Sequence, residues 1–401
     1  MSFWKFDLAE KHRKCSSALF LLTRVLASGT RLYIGAILLV VLCRLFLGRE
    51  LTVIEEILLY CSAIMLVTLL TAIYTIWGGI KAVIWTDLFQ TGLMIFGALF
   101  CLLLLFYRIP TEYRPDLLTL KWFNSGLKPG ESVMASLHFI WSSPYTIWAA
   151  LIANTFLTMA THGTDQDLVQ RMLTAKTPKE SRRSIILSGV ADIPIMFGFL
   201  SIGLLLKQYY HAFPDASIPT KLNELFPYFI LTQLPVGAKG LLISGLLATA
   251  MGSLSSALNA LATTFTRDWG HLFPTKTNEL RLARYATFFF ALILAMVACL
   301  TATLVVYQPL FRIIPIAIGI FGYTYGSLLG VFMLGLFTKN RGSDVTNIGA
   351  MFVGFLAVLL IGGVPGFLQG FILPDLAFPW RVFIGTMMTL FIGLCFTTDK
   401  N

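Results

Sequence analysis

Residues 241–269 read LLISGLLATAMGSLSSALNALATTFTRDW, an apolar stretch rich in small and hydroxylic side chains. A helix needs roughly 20 apolar residues to cross the hydrocarbon of a bilayer, and this stretch is long enough. Small residues recur at every fourth position along two neighbouring ridges, which are Gly245–Thr249–Ser253–Ala257 and Ala248–Gly252–Ser256–Ala260. Such ridges let the backbones of adjacent membrane helices approach closely. The stretch therefore predicts a membrane helix packed tightly inside a helix bundle.

Hydroxyl groups on this helix share one face, because Thr249, Ser253 and Ser256 are four and then three residues apart. A hard cation such as Na⁺ takes oxygen ligands, and hydroxyls together with freed backbone carbonyls can supply them. Serine and threonine hydroxyls in helices also bond back to the carbonyl four residues earlier, as part of ordinary helix packing. The spacing alone leaves both interpretations open.

The composition indicates an all-α integral membrane protein in a lipid bilayer. Of 401 residues, 57% are hydrophobic and 12% are charged, whereas a soluble domain has about 25% charged residues. The six cysteines lie in or beside apolar runs without paired spacing, which predicts free thiols. The sequence has no zinc-protease HExxH motif, nucleotide-binding glycine loop or nucleophile elbow, so it does not indicate an enzyme.

Ten apolar segments predict about ten transmembrane helices, at residues 17–47, 52–76, 84–107, 141–163, 183–208, 236–266, 280–306, 309–337, 344–366 and 378–397. With the N-terminus inside, the inner segments hold 17 Lys and Arg residues and the outer segments hold seven. Because basic residues favour the cytoplasmic side, we expect both termini in the cytoplasm of a multi-pass protein of the cytoplasmic or plasma membrane. This distribution also explains the net charge of +10 without a nucleic-acid partner.

Four segments resemble the sodium:solute symporter family, which contains the sodium/glucose cotransporters. They are GLLISGLLATAMGSLSSALNALATTFTRDW (240–269), YTIWGGIKAVIWTDLFQTGLMIFG (74–97), GTDQDLVQRMLTAK (163–176) and LLTRVLASGTRLYIGA (21–36). The resemblance implies a LeuT-like core of two inverted repeats of five helices, whose broken first helices meet at the substrate. It implies that this chain starts at the third core helix and lacks the first two. Residues 1–108 would complete the first repeat, 137–337 would form the second, and 338–401 would be accessory helices.

The resemblance implies a sodium site on the helix quoted first. In the family this helix gives one backbone carbonyl and two neighbouring hydroxyls to Na⁺, which here correspond to Thr249, Gly252 and Ser253. Gly252 departs from the family pattern, because serine is usual there, so one side-chain ligand is missing and Na⁺ or H⁺ coupling stays open. Asp87 and Ser256 would lie along the ion pathway. By position alone, Asp87 is more typical of a carboxylate at a helix start than of a functional one, following a turn at Gly78 and Gly79.

Substrate-binding residues are expected where polar groups interrupt apolar segments. Thr158, Thr161 and His162 lie where the fourth segment loses its apolar character, which predicts a broken helix near mid-membrane. By the resemblance they would line the substrate pocket, although a lone membrane histidine is more often a hydrogen-bonded packing residue.

Three further residues could belong either to the site or to the supporting structure. Asp192 is either a functional carboxylate or the partner of Arg31 in an ion pair, and both readings stay open. Arg24 is expected at the membrane boundary. Thr324 could reach the cavity from a span that Gly322, Gly326 and neighbouring residues would kink.

The resemblance implies sodium-coupled symport of a small organic solute by alternating access, with Na⁺ and the solute as partners. In the family's sugar carriers, a basic residue that helps hold the substrate matches the position of Asp192. A carboxylate at this position indicates either a different solute, such as a cationic one, or a proton-linked role. The alternative from another class is a non-transporting membrane sensor, or a truncated remnant that needs a missing N-terminal segment.

Overall fold

The structure is a computed structural model that describes residues 10–49, 51–114, 124–127, 130, 132–215, 217–219, 222–272, 278–308, 313–338, 341–363 and 376–396. This part of the chain is almost entirely helical. Its α-helices are α1 Glu10–Leu47, α2 Val53–Arg108, α3 Val133–Ser142, α4 Asn154–Thr164, α5 Gln166–Met172, α6 Pro178–Ala212, α7 Leu225–Gln233, α8 Val236–Trp269, α9 Glu279–Tyr307, α10 Ile313–Phe337, α11 Asp344–Gly362 and α12 Phe378–Cys395.

The described ranges contain nine helical segments that are long and apolar enough to cross a membrane. Ten had been predicted, and the difference lies in the fourth segment, 141–163. That segment is divided into the end of α3, a π-helix at Ala149–Ala153 and α4, which ends at Thr164. The break predicted near the polar cluster lies at Asp165, whose extended backbone (φ −81°, ψ 115°) separates α4 from α5. Polar residues interrupt the helix here, so the segment is not one regular span.

The second and third predicted spans belong to one helix, which corrects the predicted glycine turn. α2 continues through Gly78 and Gly79, and its 56 residues include two candidate spans, Val53–Gly78 and Val83–Arg108. A glycine inside a helix costs only about 1 kcal/mol relative to alanine, so two glycines weaken a helix without ending it. Asp87 therefore lies well inside a helix rather than at its start.

The core is centred on α1, α2, α8 and α9, whose buried side chains form one continuous apolar cluster that includes Tyr33, Tyr60, Leu258 and Leu294. Small residues of α8 permit the close contacts that the sequence predicted. A Cβ atom placed on Gly35 of α1 would lie 2.6 Å from the Cβ of Ala250. The α8 helix therefore packs directly against its neighbours and has a central position in the bundle.

The α6 helix is the least covered of the long helices. Its apolar side chains are exposed over the first two thirds of its length, as at Ile186, Val190, Ile193 and Leu200. By contrast, the small residues of α8 from Ser255 to Ala262 are all buried. The described residues therefore bury α8 on several sides and leave one long face of α6 without a neighbour.

Candidate functional site

A cavity of about 430 Å³ lies between α1, α8 and the segment that leads into α7. The α1 helix contributes Ser28 and Arg31, and α8 contributes Thr249 and Ser253. Phe226 and its neighbours Asn223 and Pro227 close another side. The cavity therefore brings the hydroxyl face of α8 together with a guanidinium group on α1.

Ser253 is exposed to this cavity, and its hydroxyl has no hydrogen-bond partner within the described part of the chain. The Thr249 hydroxyl instead donates to the carbonyl oxygen of Gly245 at 2.8 Å, and Ser255 donates to that of Gly252 at 2.9 Å. The helix-packing interpretation therefore holds for the Thr249 hydroxyl, while Ser253 keeps an oxygen available for a ligand. The described residues contain no group of three His, Cys, Asp or Glu side chains suited to a metal. A cation here would depend on hydroxyl and carbonyl oxygens.

Gly252 is buried and faces α2 instead of presenting a ligand to the cavity. A Cβ atom on this residue would overlap Gln90 Oε1 and lie 2.7 Å from Asp87 Oδ1. The space that a serine side chain needs is therefore already filled by two side chains of α2. Because those atoms are oxygens, the α2 side of Gly252 remains rich in oxygen despite the missing hydroxyl.

Asp87 and Ser256, the two residues predicted along the ion pathway, are joined by Arg171 at the end of α5. The guanidinium Nη2 lies 3.0 Å from Asp87 Oδ2 and donates to the Ser256 hydroxyl. Its Nε lies 3.5 Å from Asp167 Oδ1, one turn earlier on α5, which is an ion-pair distance without hydrogen-bond geometry. Three helices, α2, α5 and α8, are thus joined through one arginine.

Arg24 has a different place from the one predicted at the membrane boundary. It is buried, donates to Asp165 Oδ2 at 2.9 Å and forms a second ion pair with Asp167. Tyr325 of α10 donates to the same Asp165 oxygen at 2.6 Å. An arginine placed this far from water needs carboxylate partners, and the break between α4 and α5 supplies them. We call Arg24, Asp165, Asp167, Arg171 and Asp87 the charged cluster.

Arg31 lines the cavity, and its predicted ion pair with Asp192 is wrong. Within the described residues Arg31 forms no salt bridge, and its guanidinium lies 5.2 Å from the ring centre of Phe321. Asp192 lies on the exposed part of α6 without an ion pair to any described residue. The separation follows from helix packing, because α6 contacts α2 and α5 rather than α1.

The other residues predicted for the substrate do not line this cavity. Thr158, Thr161 and His162 share one end of α4, where His162 Nδ1 lies 3.0 Å from the Thr158 carbonyl oxygen. Thr324 accepts a 2.7 Å hydrogen bond from Thr23, which joins α10 to α1. Their contribution to substrate binding stays a prediction.

Sequence reasoning missed Arg171 and the carboxylates Asp165 and Asp167. All three lie in GTDQDLVQRMLTAK, which had been recognised only for its resemblance. A signal was present, since Asp167 and Arg171 are four residues apart and so share a helix face. Their connection to Arg24, Asp87 and Ser256 depends on tertiary packing and is not visible in local spacing.

The architecture and the cavity together indicate a class of membrane protein. Long membrane-spanning helices around an internal cavity, together with a shorter helical segment interrupted by polar residues at Asp165, are typical of secondary transporters with a LeuT-like fold. The chain belongs to the sodium:solute symporter family, since the model of that family matches residues 25–357. The relatives reported next are transporters and not enzymes.

Two bacterial relatives are sodium/sialic acid symporters. That of Proteus mirabilis is 29% identical over 73% of this chain and 59% of its own length. That of Aliivibrio fischeri is 26% identical over 82% of this chain and 62% of its own length. A sodium-dependent multivitamin transporter of Oryctolagus cuniculus is 29% identical over 72% of this chain and 44% of its own length. The chain thus spans less than two thirds of the length of these relatives.

A solved structure has the same fold. It is the substrate-bound outward-open state of a Na⁺-coupled sialic acid symporter, described as revealing a novel Na⁺ site, and it matches with a TM-score of 0.70. The match covers 97% of this chain and 75% of that chain at 24% sequence identity. The likeness confirms the LeuT-like fold that the sequence predicted.

Proposed function

We propose that this protein acts in sodium-coupled symport of a small organic anion across the cytoplasmic membrane by alternating access. The observation that carries the proposal is the cavity, where the free hydroxyl of Ser253 and the unpaired guanidinium of Arg31 face one space. The hydroxyl suits a hard cation, and the guanidinium suits a carboxylate. Family membership supports Na⁺ as the coupling ion.

The charge of the cavity supports an anionic solute. Among the described residues, its lining contains Arg31 and no acidic side chain. A guanidinium in a low-dielectric site gains most from an anion that it can contact directly, and a carboxylate can accept two of its N–H groups. Among the relatives, the names of the sialic acid symporters and of a sodium-coupled monocarboxylate transporter 2 from Danio rerio point in the same direction.

Na⁺ is proposed to bind at the Thr249 carbonyl and the Ser253 hydroxyl, without a ligand from Gly252. Bound Na⁺ would place a positive charge beside the anion, so each ligand would favour binding of the other. The inward sodium gradient would then drive uptake. All relatives reported above are transporters, so the alternative of a sensor or remnant gains no support from them.

The first test compares Ser253→Ala with Ser244→Ala in proteoliposomes. Ser244 is an exposed serine of the same helix whose hydroxyl donates to Gly240. Uptake of radiolabelled sialic acid and lactate, with glucose as the neutral comparison, is measured against sodium concentration. We expect Ser253→Ala to raise the half-saturating sodium concentration about tenfold or more, because a direct ligand is lost.

Ser244→Ala should match the unmodified protein in the same assay. Equal sodium dependence in the two variants would remove Ser253 from the site. Uptake of glucose but of neither acid would contradict the anionic solute.

A further inference from the structure

Arg171 connects α8, which carries the proposed sodium ligands, to the rest of the charged cluster at one end of the cavity. Ser256 follows Ser253 by three residues, so it lies about 4.5 Å further along α8. The guanidinium of Arg171 reaches both Ser256 and Asp87 Oδ2. It therefore lies next to the α8 surface that follows the proposed sodium position.

The carboxylate of Asp87 is divided between two neighbours. Oδ2 faces Arg171, and Oδ1 faces the bare backbone of Gly252 together with Gln90 Oε1. Gln90 has no hydrogen-bond partner among the described residues. A cation that moves along α8 from Ser253 towards Ser256 therefore meets two side-chain oxygens and then a fixed positive charge.

Arg171 can leave this position while its helix stays in place. The α5 helix is anchored through Asp165 and Asp167, which are held by the buried Arg24 and by Tyr325. The Arg171 side chain is 36% exposed, whereas that of Arg24 is 6% exposed. Among the described residues, the contacts of Arg171 that must break for the guanidinium to move outwards are those to Asp87, Ser256 and Asp167.

We propose that the guanidinium of Arg171 is a built-in cation that closes this end of the ion path. It neutralises Asp87 when no ion passes, and a monovalent cation leaves the cavity by displacing it from Asp87 and Ser256. The proposal rests on the proposed function for the identity of the ion. It assigns Arg171 a role in preventing sodium flow in the absence of solute.

The physical reason is competition between two cations for one carboxylate. While Arg171 occupies Asp87, a second positive charge nearby is repelled, and the low dielectric of the bundle strengthens this repulsion. When the guanidinium is absent, Asp87 attracts an inorganic cation and no fixed charge opposes its passage. Solute-free sodium flux should therefore rise when Arg171 loses its charge.

The experiment measures solute-free efflux of ²²Na⁺ from proteoliposomes that contain Arg171→Gln, Arg171→Lys or Arg182→Gln. Arg182 is an exposed arginine at the start of α6 with no ion pair to a described residue. We expect Arg171→Gln to raise efflux about fivefold or more, a typical size for coupling between two sites. Added guanidinium ion should lower this efflux again. Arg171→Lys keeps the charge and should stay close to the unmodified protein.

Efflux from Arg171→Gln equal to that from Arg182→Gln would overturn the proposal. Equal increases in Arg171→Gln and Arg171→Lys, without an effect of guanidinium, would also overturn it, because they would indicate lost packing. The assay contains no solute, so it is separate from the test of symport. If the protein takes up solute but Arg171→Gln leaves solute-free sodium efflux unchanged, only this inference fails. If Arg171→Gln raises efflux but the protein takes up no solute, only the proposed symport fails.

Discussion

At the scale of single residues, Gly252 shows how one substitution changes the surroundings of a site. The resemblance alone treats the glycine as a lost sodium ligand. The structure adds that Gln90 and Asp87 fill the space beside it, so the position cannot accept a side chain without movement on α2. Glycine here permits close approach of carboxylate and amide oxygens to the α8 backbone, which a serine would prevent.

The change Gly252→Ser tests this interpretation. We expect it to push the ends of the Gln90 and Asp87 side chains out of their preferred rotamers, which lowers stability by about 0.5–1.5 kcal/mol, without improving sodium affinity. Gly240→Ser is the matched control, since no atom lies within 4 Å of a Cβ placed on that α8 glycine. Thermal unfolding in detergent and sodium-dependent uptake are the measurements.

Adding Gln90→Ala to Gly252→Ser tests whether the overlap with Gln90 causes the loss of stability. Removal of the glutamine side chain should restore much of the lost stability, because the overlap involves its amide oxygen. Tighter sodium binding in Gly252→Ser alone would show instead that the usual family serine is the missing ligand in this chain.

Elements were more predictable from the sequence than their contacts. The lengths of α1, α8 and α9 follow from apolar composition, because a bilayer requires about 20 apolar residues for each span. The break at Asp165 was foreseen from a loss of apolar character. The continuity of α2 was not, because glycines weaken a helix without ending it.

The candidate site was predictable only in part. The cavity position of Ser253 follows from the face that it shares with Thr249. The location of Arg31 opposite that face, and the partners of Arg24, depend on how α1 and α5 pack against other helices. Spacing within one helix carries no information about such contacts. It therefore left the ion pair of Arg31 with Asp192 open as one of two interpretations, and the structure does not form that pair.

The glycines of α10 illustrate the same limit. The sequence suggested that they kink or partly unwind the helix. The structure shows no unwinding, because α10 is helical throughout Ile313–Phe337, and it packs closely on α12. A Cβ atom on Gly326 would lie 2.7 Å from the Val382 carbonyl oxygen and 2.9 Å from the Gly385 Cα atom. The glycine therefore serves close helix contact, as small residues commonly do in membranes.

We predict that Gly326→Ala destabilises the protein although alanine is the better helix former. The backbone atoms of α12 cannot shift independently, so α10 and α12 must separate, at a cost of about 1–3 kcal/mol. Gly335→Ala on the same helix has no atom within 4 Å of the added Cβ, and it should be neutral or stabilising by up to about 1 kcal/mol. Thermal unfolding of both variants in one detergent decides between these effects, and equal melting temperatures would contradict the contact-based explanation.

At the scale of the whole molecule, charged groups lie beyond both ends of the cavity. The charged cluster begins at Arg24, about 10 Å along α1 from Arg31, and a second group surrounds Arg44, about 20 Å in the other direction. Arg44 pairs with Glu224 at 2.7 Å and with Glu56 at 2.9 Å. Tyr60 donates to the other Glu224 oxygen at 3.2 Å.

Glu224 links this second charged group to one wall of the cavity. It is buried and lies between Asn223 and the cavity residues Phe226 and Pro227. The same segment is tied down beyond the membrane helices by Asp215, which accepts hydrogen bonds from the Ser217 N–H group and the Tyr228 hydroxyl. These bonds lower the pKa of Asp215. Alternating access requires that one end of a cavity can open while the other stays closed, and this segment is the wall that Arg44 holds in place.

Glu224→Gln should therefore open the cavity at the Arg44 end. The amide keeps the size of the side chain and removes the charge that Arg44 and Tyr60 bind, so the ion pair weakens while packing is kept. We expect a cysteine at the cavity position Ser28 to react several-fold faster with a water-soluble maleimide when Glu224→Gln is present. Labelling of the native cysteines is measured in the same way in proteins without Ser28→Cys and is subtracted. Glu55→Gln, which alters an exposed ion pair with Arg49, is the control. Equal labelling rates in the two backgrounds would show that Glu224 does not hold this wall, because only a change in cavity access distinguishes the variants.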